Sequence, residues 1–194
     1  MRELVETAGQ RGAMRRINNQ WELGKAGEDF FWHFGGLHDH IKMIERYATR
    51  EQQETCGDFR VSIDGEDRNV DAKVELVLSV NFVVELMQDD STGNVGWFHK
   101  LTKCDEIWIA QANIDELAPF GLAFWSIWRV SFTRLRKMFF ERHEQWKDMD
   151  TSRGWGHTIA KLVPYQELID SNAAMHWWGL RYNGPFVATS KYTT

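Results

Sequence analysis

Four charged side chains stand where a packing surface would not choose them. Asp71 and Lys73 are two apart in Val70-Asp71-Ala72-Lys73-Val74, an alternating run, so both project from one face of an expected strand. Glu85 interrupts the apolar run Phe82-Val83-Val84-Glu85-Leu86, where a carboxylate is costly unless it is paired or binds a metal. Glu28 lies in a stretch of helical spacing. Taken alone, Asp71 and Lys73 read as a solvated strand face with an incidental ion pair. Glu85, apolar on both sides, favours a site. If the strands carrying Asp71 and Glu85 are neighbours, both carboxylates converge on one cation, and Glu28 reaches the same place from a packed helix. Carboxylate oxygens suit Mg²⁺ or Mn²⁺. Such an ion lowers the pKa of a bound water and screens the charge of a phosphate. Lys73 would orient that water or stabilise the added negative charge. The candidate catalytic set is therefore Glu28, Asp71, Lys73 and Glu85, with Asp71 and Glu85 as metal ligands.

The elements that must hold these residues follow from periodicity. Trp21, Leu23, Phe30, Phe31 and Phe34 give the apolar side of a helix that Gly35-Gly36 stops. Leu37, Ile41, Ile44 and Ala48 recur at steps of three and four, which predicts a second helix from Leu37 to Gln53. Phe59, Val61 and Ile63 then alternate with polar residues, Asp64-Gly65 marks a hairpin turn, and Val70 to Leu76 forms the returning strand. Phe82 to Leu86 is a third strand, and Glu106 to Ala110 a fourth, buried on both faces. Leu122 to Val130 reads as a strand, Ser131 to Trp146 as a helix, and Thr158 to Val163 as a short strand. Pro164 suits the start of a helix from Tyr165 to Asp170, and the tail from Trp177 has no clear period. Residues 1–20 read as an N-terminal arm or short helix, and 21–194 as one α/β domain.

Composition limits the function classes. The chain has 194 residues, 43% hydrophobic and 26% charged, which suits one globular domain rather than disorder. A net charge of -5 argues against a protein that coats nucleic acid by bulk charge, but leaves room for carboxylate chemistry beside local basic patches. Cys56 and Cys104 have no metal-site spacing, and Met1-Arg2-Glu3 opens no apolar leader, so a reducing, cytoplasmic setting is expected. The longest uncharged stretch, Leu117 to Trp128, is too short to span a bilayer, so no membrane partner is expected. His33, His38 and His40 lack the partner ligands a zinc site needs and read as surface or helix-end histidines.

At Gly27-Glu28, Val70-Asp71-Ala72-Lys73 and Phe82-Val83-Val84-Glu85 the chain resembles the PD-(D/E)XK nuclease superfamily, over roughly Gly24 to Ala110. Gly96-Trp97, Cys104 to Trp108 and Lys161 to Pro164 look like the closing elements of its phage and bacterial members. The resemblance implies a restriction-endonuclease-like α/β fold, a mixed central sheet flanked by helices. It also implies hydrolysis of nucleic-acid phosphodiester bonds, with DNA the expected substrate, in a bacterial or phage-infected cell. The family pattern puts Lys two residues after the second acidic residue, and that position holds Met87. Lys73 would then be a migrated lysine. The other pairing makes Asp71-Ala72-Lys73 the D-x-K element, with Asp58 or Asp64 before it. The first is favoured, because Asp64 belongs to a turn and Glu85 would otherwise lack a role. A catalytically silent member of the fold, binding nucleic acid or protein, is the competing expectation. Arg134, Arg136 and Lys137, with Lys100 and Lys103, are candidate phosphate contacts. A homodimer would suit cleavage of both strands.

Overall fold

A computed structural model describes residues 19–76, 78–89, 92–152 and 157–179. Most of the expected N-terminal arm, residues 1–18 with Arg11, Arg15 and Arg16, lies outside the described residues, as do residues 180–194 of the tail.

Helix α1 (Gln20–Gly35) starts at Asn19, whose side chain accepts the Glu22 amide at 2.9 Å. An N-cap of this kind contributes about 1 kcal/mol. The helix buries Ala26, Gly27, Phe30, Phe31 and Gly35. The second helix expected from Leu37 to Gln53 is not there. Its place is taken by strand β1 (Ile41–Arg46) and a short helix α2 (Arg50–Cys56). Of the four residues that suggested helical spacing only Ile41 is buried, and it pairs with Ile63 across the sheet. The start of α2 is set by Thr49 and Gln52, which cap each other's backbone reciprocally.

Strands β2 (Phe59–Ile63) and β3 (Glu66–Glu75) form the expected hairpin around Asp64-Gly65. Next come β4 (Asn81–Asp89), β5 (Asn94–Val95), helix α3 (Trp97–Lys100), β6 (Glu106–Ile114) and β7 (Leu122–Ser131). They are followed by helix α4 (Phe132–Arg142), β8 (Lys147–Ser152), β9 (His157–Pro164), helix α5 (Tyr165–Asp170) and β10 (Ala174–Gly179). Strands β8 and β10 were not expected. β8 is a polar strand paired on one side only, to β9, so no apolar alternation marks it.

The domain is mixed α/β, built on two sheets rather than on one. The larger has the order β1-β2-β3-β6-β7-β10, antiparallel except where β3 runs parallel to β6. The smaller is antiparallel, in the order β5-β4-β9-β8. The main core lies between them: Phe82 and Val84 from β4 and Val163 from β9 meet Ile107, Ile109, Trp128 and Val130. On the other face of the large sheet, Phe30 and Phe31 of α1 cover Phe59, Val61, Val70, Trp108 and Ala110. β6 is thus buried on both faces, as its sequence implies. None of the described helices is long and apolar enough to cross a membrane.

Candidate active site at the open end of the β2–β3 hairpin

Strand alternation sends Val70, Ala72 and Val74 toward α1, and Asp71, Lys73 and Glu75 toward the second sheet. Asp71 is only 4% exposed. Lys73 Nζ lies 2.5 Å from Asp71 Oδ2, and the Lys73 side chain is 31% exposed. That ion pair is the partner the buried Oδ2 has. Burial raises the Asp71 pKa and Lys73 opposes the rise. Burial also works against the Lys73 charge, yet the Asp71 and Asp58 carboxylates outweigh it and hold the ammonium above its usual range.

Asp58 stands just beyond the last β2–β3 pair, Phe59 with Val70. Its amide donates to Val70 O at 2.8 Å, and its Oδ2 accepts the Ala72 amide at 2.7 Å. The carboxylate is thereby fastened to the backbone on the far side of Asp71. Burial, and then the Asp71 charge, push its pKa up to about 7. The close approach depends on Gly57, at φ +100°: a Cβ there would meet Val70 O at 2.7 Å and Asp71 Cβ at 2.8 Å. Glu28 is the third carboxylate, near enough for its charge to act on both Asp58 and Asp71. Its position is set by Gly27, where an added Cβ would meet Val74 Cγ2 at 2.3 Å, so α1 lies directly on β3. Lys25 Nζ pairs with Glu28 Oε2 at 2.7 Å.

Glu85 corrects the sequence reading. It is carried by β4 of the second sheet, whereas the neighbours of β3 are β2 and β6, so Asp71 and Glu85 are not on adjacent strands. Its carboxylate accepts the Trp97 amide, at the start of α3, where Gly96 offers no side-chain cap. Burial raises its pKa, against that bond and the charges of Lys73 and Lys100. The strand carboxylate thus has a partner at the start of α3, and it feels the charge of Lys73. Met87, two residues on, lies at the irregularity between β4 and β9. Asp64 sits in the turn at the opposite end of β2 from Asp58.

Among the candidate phosphate contacts, the structure brings Lys100 to this region, its charge felt by Glu85 and by Glu54 of α2. Lys103 is exposed nearby, its carbonyl accepting Asn69 Nδ2 at 2.8 Å, two residues before Asp71. Arg136 is otherwise engaged. Its Nη2 donates to Leu101 O at 2.9 Å and to Phe98 O at 3.3 Å, and its guanidinium lies 4.4 Å from the Phe132 ring. It therefore satisfies carbonyls at the end of α3, and burial lowers its pKa. Arg134 and Lys137 stand exposed on α4: Arg134 donates to Asn172 O at 2.5 Å, and Lys137 lies 4.0 Å from Glu141. Cys104 completes the wall beside Asp71, its thiol donating to Glu106 O at 3.1 Å, and burial holds that thiol well above the usual range.

Asp58 is the site residue to which sequence reasoning gave second place. Its signal is Gly57-Asp58 immediately before a strand that turns back into Asp71-Ala72-Lys73.

The donor set can be tested against a divalent ion. No group of three or more His, Cys, Asp or Glu side chains among the described residues is arranged to cage a metal. Mg²⁺, however, is held through one or two carboxylates with waters and substrate phosphate. Asp58 and Asp71 supply that number, with Asp58 Oδ2 held by the Ala72 amide and Asp71 Oδ2 by Lys73. These two carboxylates are the residues that would hold such an ion. The chain matches no protein-family model, no curated protein and no solved structure, so the site is read from its own geometry.

Proposed function

We propose that the chain is a divalent-metal-dependent nuclease of the restriction-endonuclease-like type that hydrolyses phosphodiester bonds, with DNA as substrate. The observation that carries this reading is the convergence of Asp58, Asp71 and Lys73 at the end of one hairpin, with the charge of Glu28 acting on both aspartates. A fold gains nothing from gathering carboxylates in a half-buried place, since burial and mutual repulsion both disfavour their charged forms. A cation and a phosphate make the arrangement useful. Asp58 and Asp71 would hold Mg²⁺ or Mn²⁺, which when bound supplies charge neutralisation and a water of lowered pKa.

The protein's own groups do the rest. Lys73 places an ammonium beside Asp71 Oδ2, where it hydrogen-bonds the attacking water or the extra charge on the phosphorane-like transition state. Glu28 would order water at the edge of the cluster, and Lys100, whose charge reaches Glu85, would meet a substrate phosphate. The test is cleavage of single- and double-stranded DNA and RNA, with Mn²⁺ or with EDTA, by wild type, Asp58→Ala and Asp71→Ala. Metal-dependent cleavage by wild type and its loss in both variants is the expected result. Equal cleavage by all three proteins would refute the site.

The silent-fold reading has one observation in its favour: Lys73 already neutralises Asp71, as a purely structural ion pair would. Binding without cleavage on every substrate and metal would establish it.

A further inference from the structure

Helix α1 carries an unusual stripe that leads away from the candidate site. Trp21, Gly24, Lys25 and Glu28 fall at i, i+3, i+4 and i+7, hence on one helical face. Exposure rises steadily along it, from 18% for the Glu28 side chain to 39% for Lys25 and 76% for Trp21. The stripe therefore runs from the carboxylates out to open solvent, over about 10 Å of helix axis.

Two independent features of the stripe ask for a ligand. A single exposed apolar residue is ordinary. Trp21, though, is a full indole placed outside the buried set of α1, which is Ala26, Gly27, Phe30, Phe31 and Gly35. Gly24 is the second feature. Glycine is the poorest helix former after proline, and here no packing requires it: a Cβ added at Gly24 meets nothing within 4 Å. Gly27, one turn on, differs in that its Cβ would strike Val74. The bare backbone at Gly24 is thus bracketed by a flat aromatic ring and an ammonium.

We infer that this stripe is a track for an unpaired nucleic-acid strand, with a base stacked on Trp21, the sugar-phosphate backbone passing over Gly24, and a phosphate at Lys25. The inference rests on the nuclease reading and adds a substrate class to it: a single strand or a frayed end. A base inside a duplex has both faces covered and offers none to an indole, whereas an unpaired base does. Lys25 keeps donors for a phosphate while it touches Glu28, because an ammonium has three.

The experiment measures anisotropy of a labelled oligothymidylate, and of a duplex of equal length, in EDTA, and repeats the cleavage assay with Mn²⁺. Trp21→Ala should weaken single-strand binding about tenfold, in line with stacking losses at aromatic platforms, and leave duplex binding unchanged. Trp21→Phe should restore most of the affinity. Gly24→Ala should raise the melting temperature and yet weaken single-strand binding, a pair of effects that a purely structural glycine would not give. Unchanged affinity in Trp21→Ala, equal losses on strand and duplex, or a wild type that binds no strand would each overturn the track. Wild-type cleavage that Trp21→Ala leaves intact would overturn the track alone. Trp21-dependent binding without cleavage would overturn the nuclease reading and leave the track standing.

Discussion

Replacing Glu75 by Gln should remove a large part of the pH dependence of stability. Glu75 follows Lys73 by two on β3 and points between the sheets, where its Oε2 accepts Gln111 Nε2 at 3.1 Å and the Tyr165 hydroxyl at 3.4 Å. Gln111 also donates to Ser79 O and accepts from Ser126, which in turn accepts the Trp128 indole, so the carboxyl anchors a buried polar network. Burial raises its pKa from 4.5 to about 7, against the Gln111 amide, the Val83 backbone N–H and the Tyr165 hydroxyl. The folded chain therefore keeps a proton between about pH 4.5 and 7 that the unfolded chain releases. The contribution of this group to stability is complete below pH 4.5, declines as pH rises, and levels off above 7. Each pKa unit corresponds to about 1.4 kcal/mol, so the decline amounts to about 3 kcal/mol. Gln keeps the acceptor oxygen and carries no charge. Urea unfolding of wild type and Glu75→Gln at pH 4.5 and pH 8 should give similar stabilities at the lower pH. At the higher pH the variant should lead by about 3 kcal/mol, a rise of about 6–12 °C in melting temperature for a chain of this size. Asp58 and Asp71 add a slope of the same sign to both proteins, so the difference between the two curves isolates Glu75. Parallel curves would refute the reasoning.

Gly57→Ala should destabilise by about 2 kcal/mol or more, because φ is +100° and the new methyl meets Val70 O and Asp71; thermal melts check it. Arg136→Ala should cost about 1–3 kcal/mol through two carbonyls losing their donor, with nucleic-acid affinity unchanged, measured by unfolding and anisotropy together. Lys100→Ala should leave stability within about 0.5 kcal/mol and weaken nucleic-acid binding more at low salt than at high salt. Lys73→Ala should lower turnover more than affinity, read from kcat against KM on the cleaved substrate.

The hairpin was legible because each of its signals is local. Phe59, Val61 and Ile63 alternate, Asp64-Gly65 supplies the turn, and Val70 to Val74 alternate again. Asp71 and Lys73 could thus be given a common face before any tertiary contact was considered. Partnership between distant strands has no such local signal. Nothing in Phe82 to Leu86 says that it joins β9, some eighty residues later, and not β3. Glu85 was consequently assigned to the wrong sheet, and Asp58 was undervalued. β1 misled for another reason: Ile41, Ile44 and Ala48 mimic a helical stripe, and the true cue lay in the Thr49–Gln52 capping pair.

The parallel pairing of β3 with β6 has a kinetic consequence. Glu28, Asp58, Asp71 and Lys73 all lie within 46 consecutive residues (28–73), and a hairpin and a helix can form among them by short loops. The side of Asp71 that faces Cys104 and Ile107 closes only when β6 arrives, across the whole second-sheet excursion of β4 and β5. Until then that face of Asp71 stays open to water. The burial that raises the Asp71 pKa is thus completed by a long-range pairing. Neutralising Asp58 should slow unfolding and leave the folding rate as it was, so the acidic cluster acts on how long the native state lasts rather than on how fast it is reached.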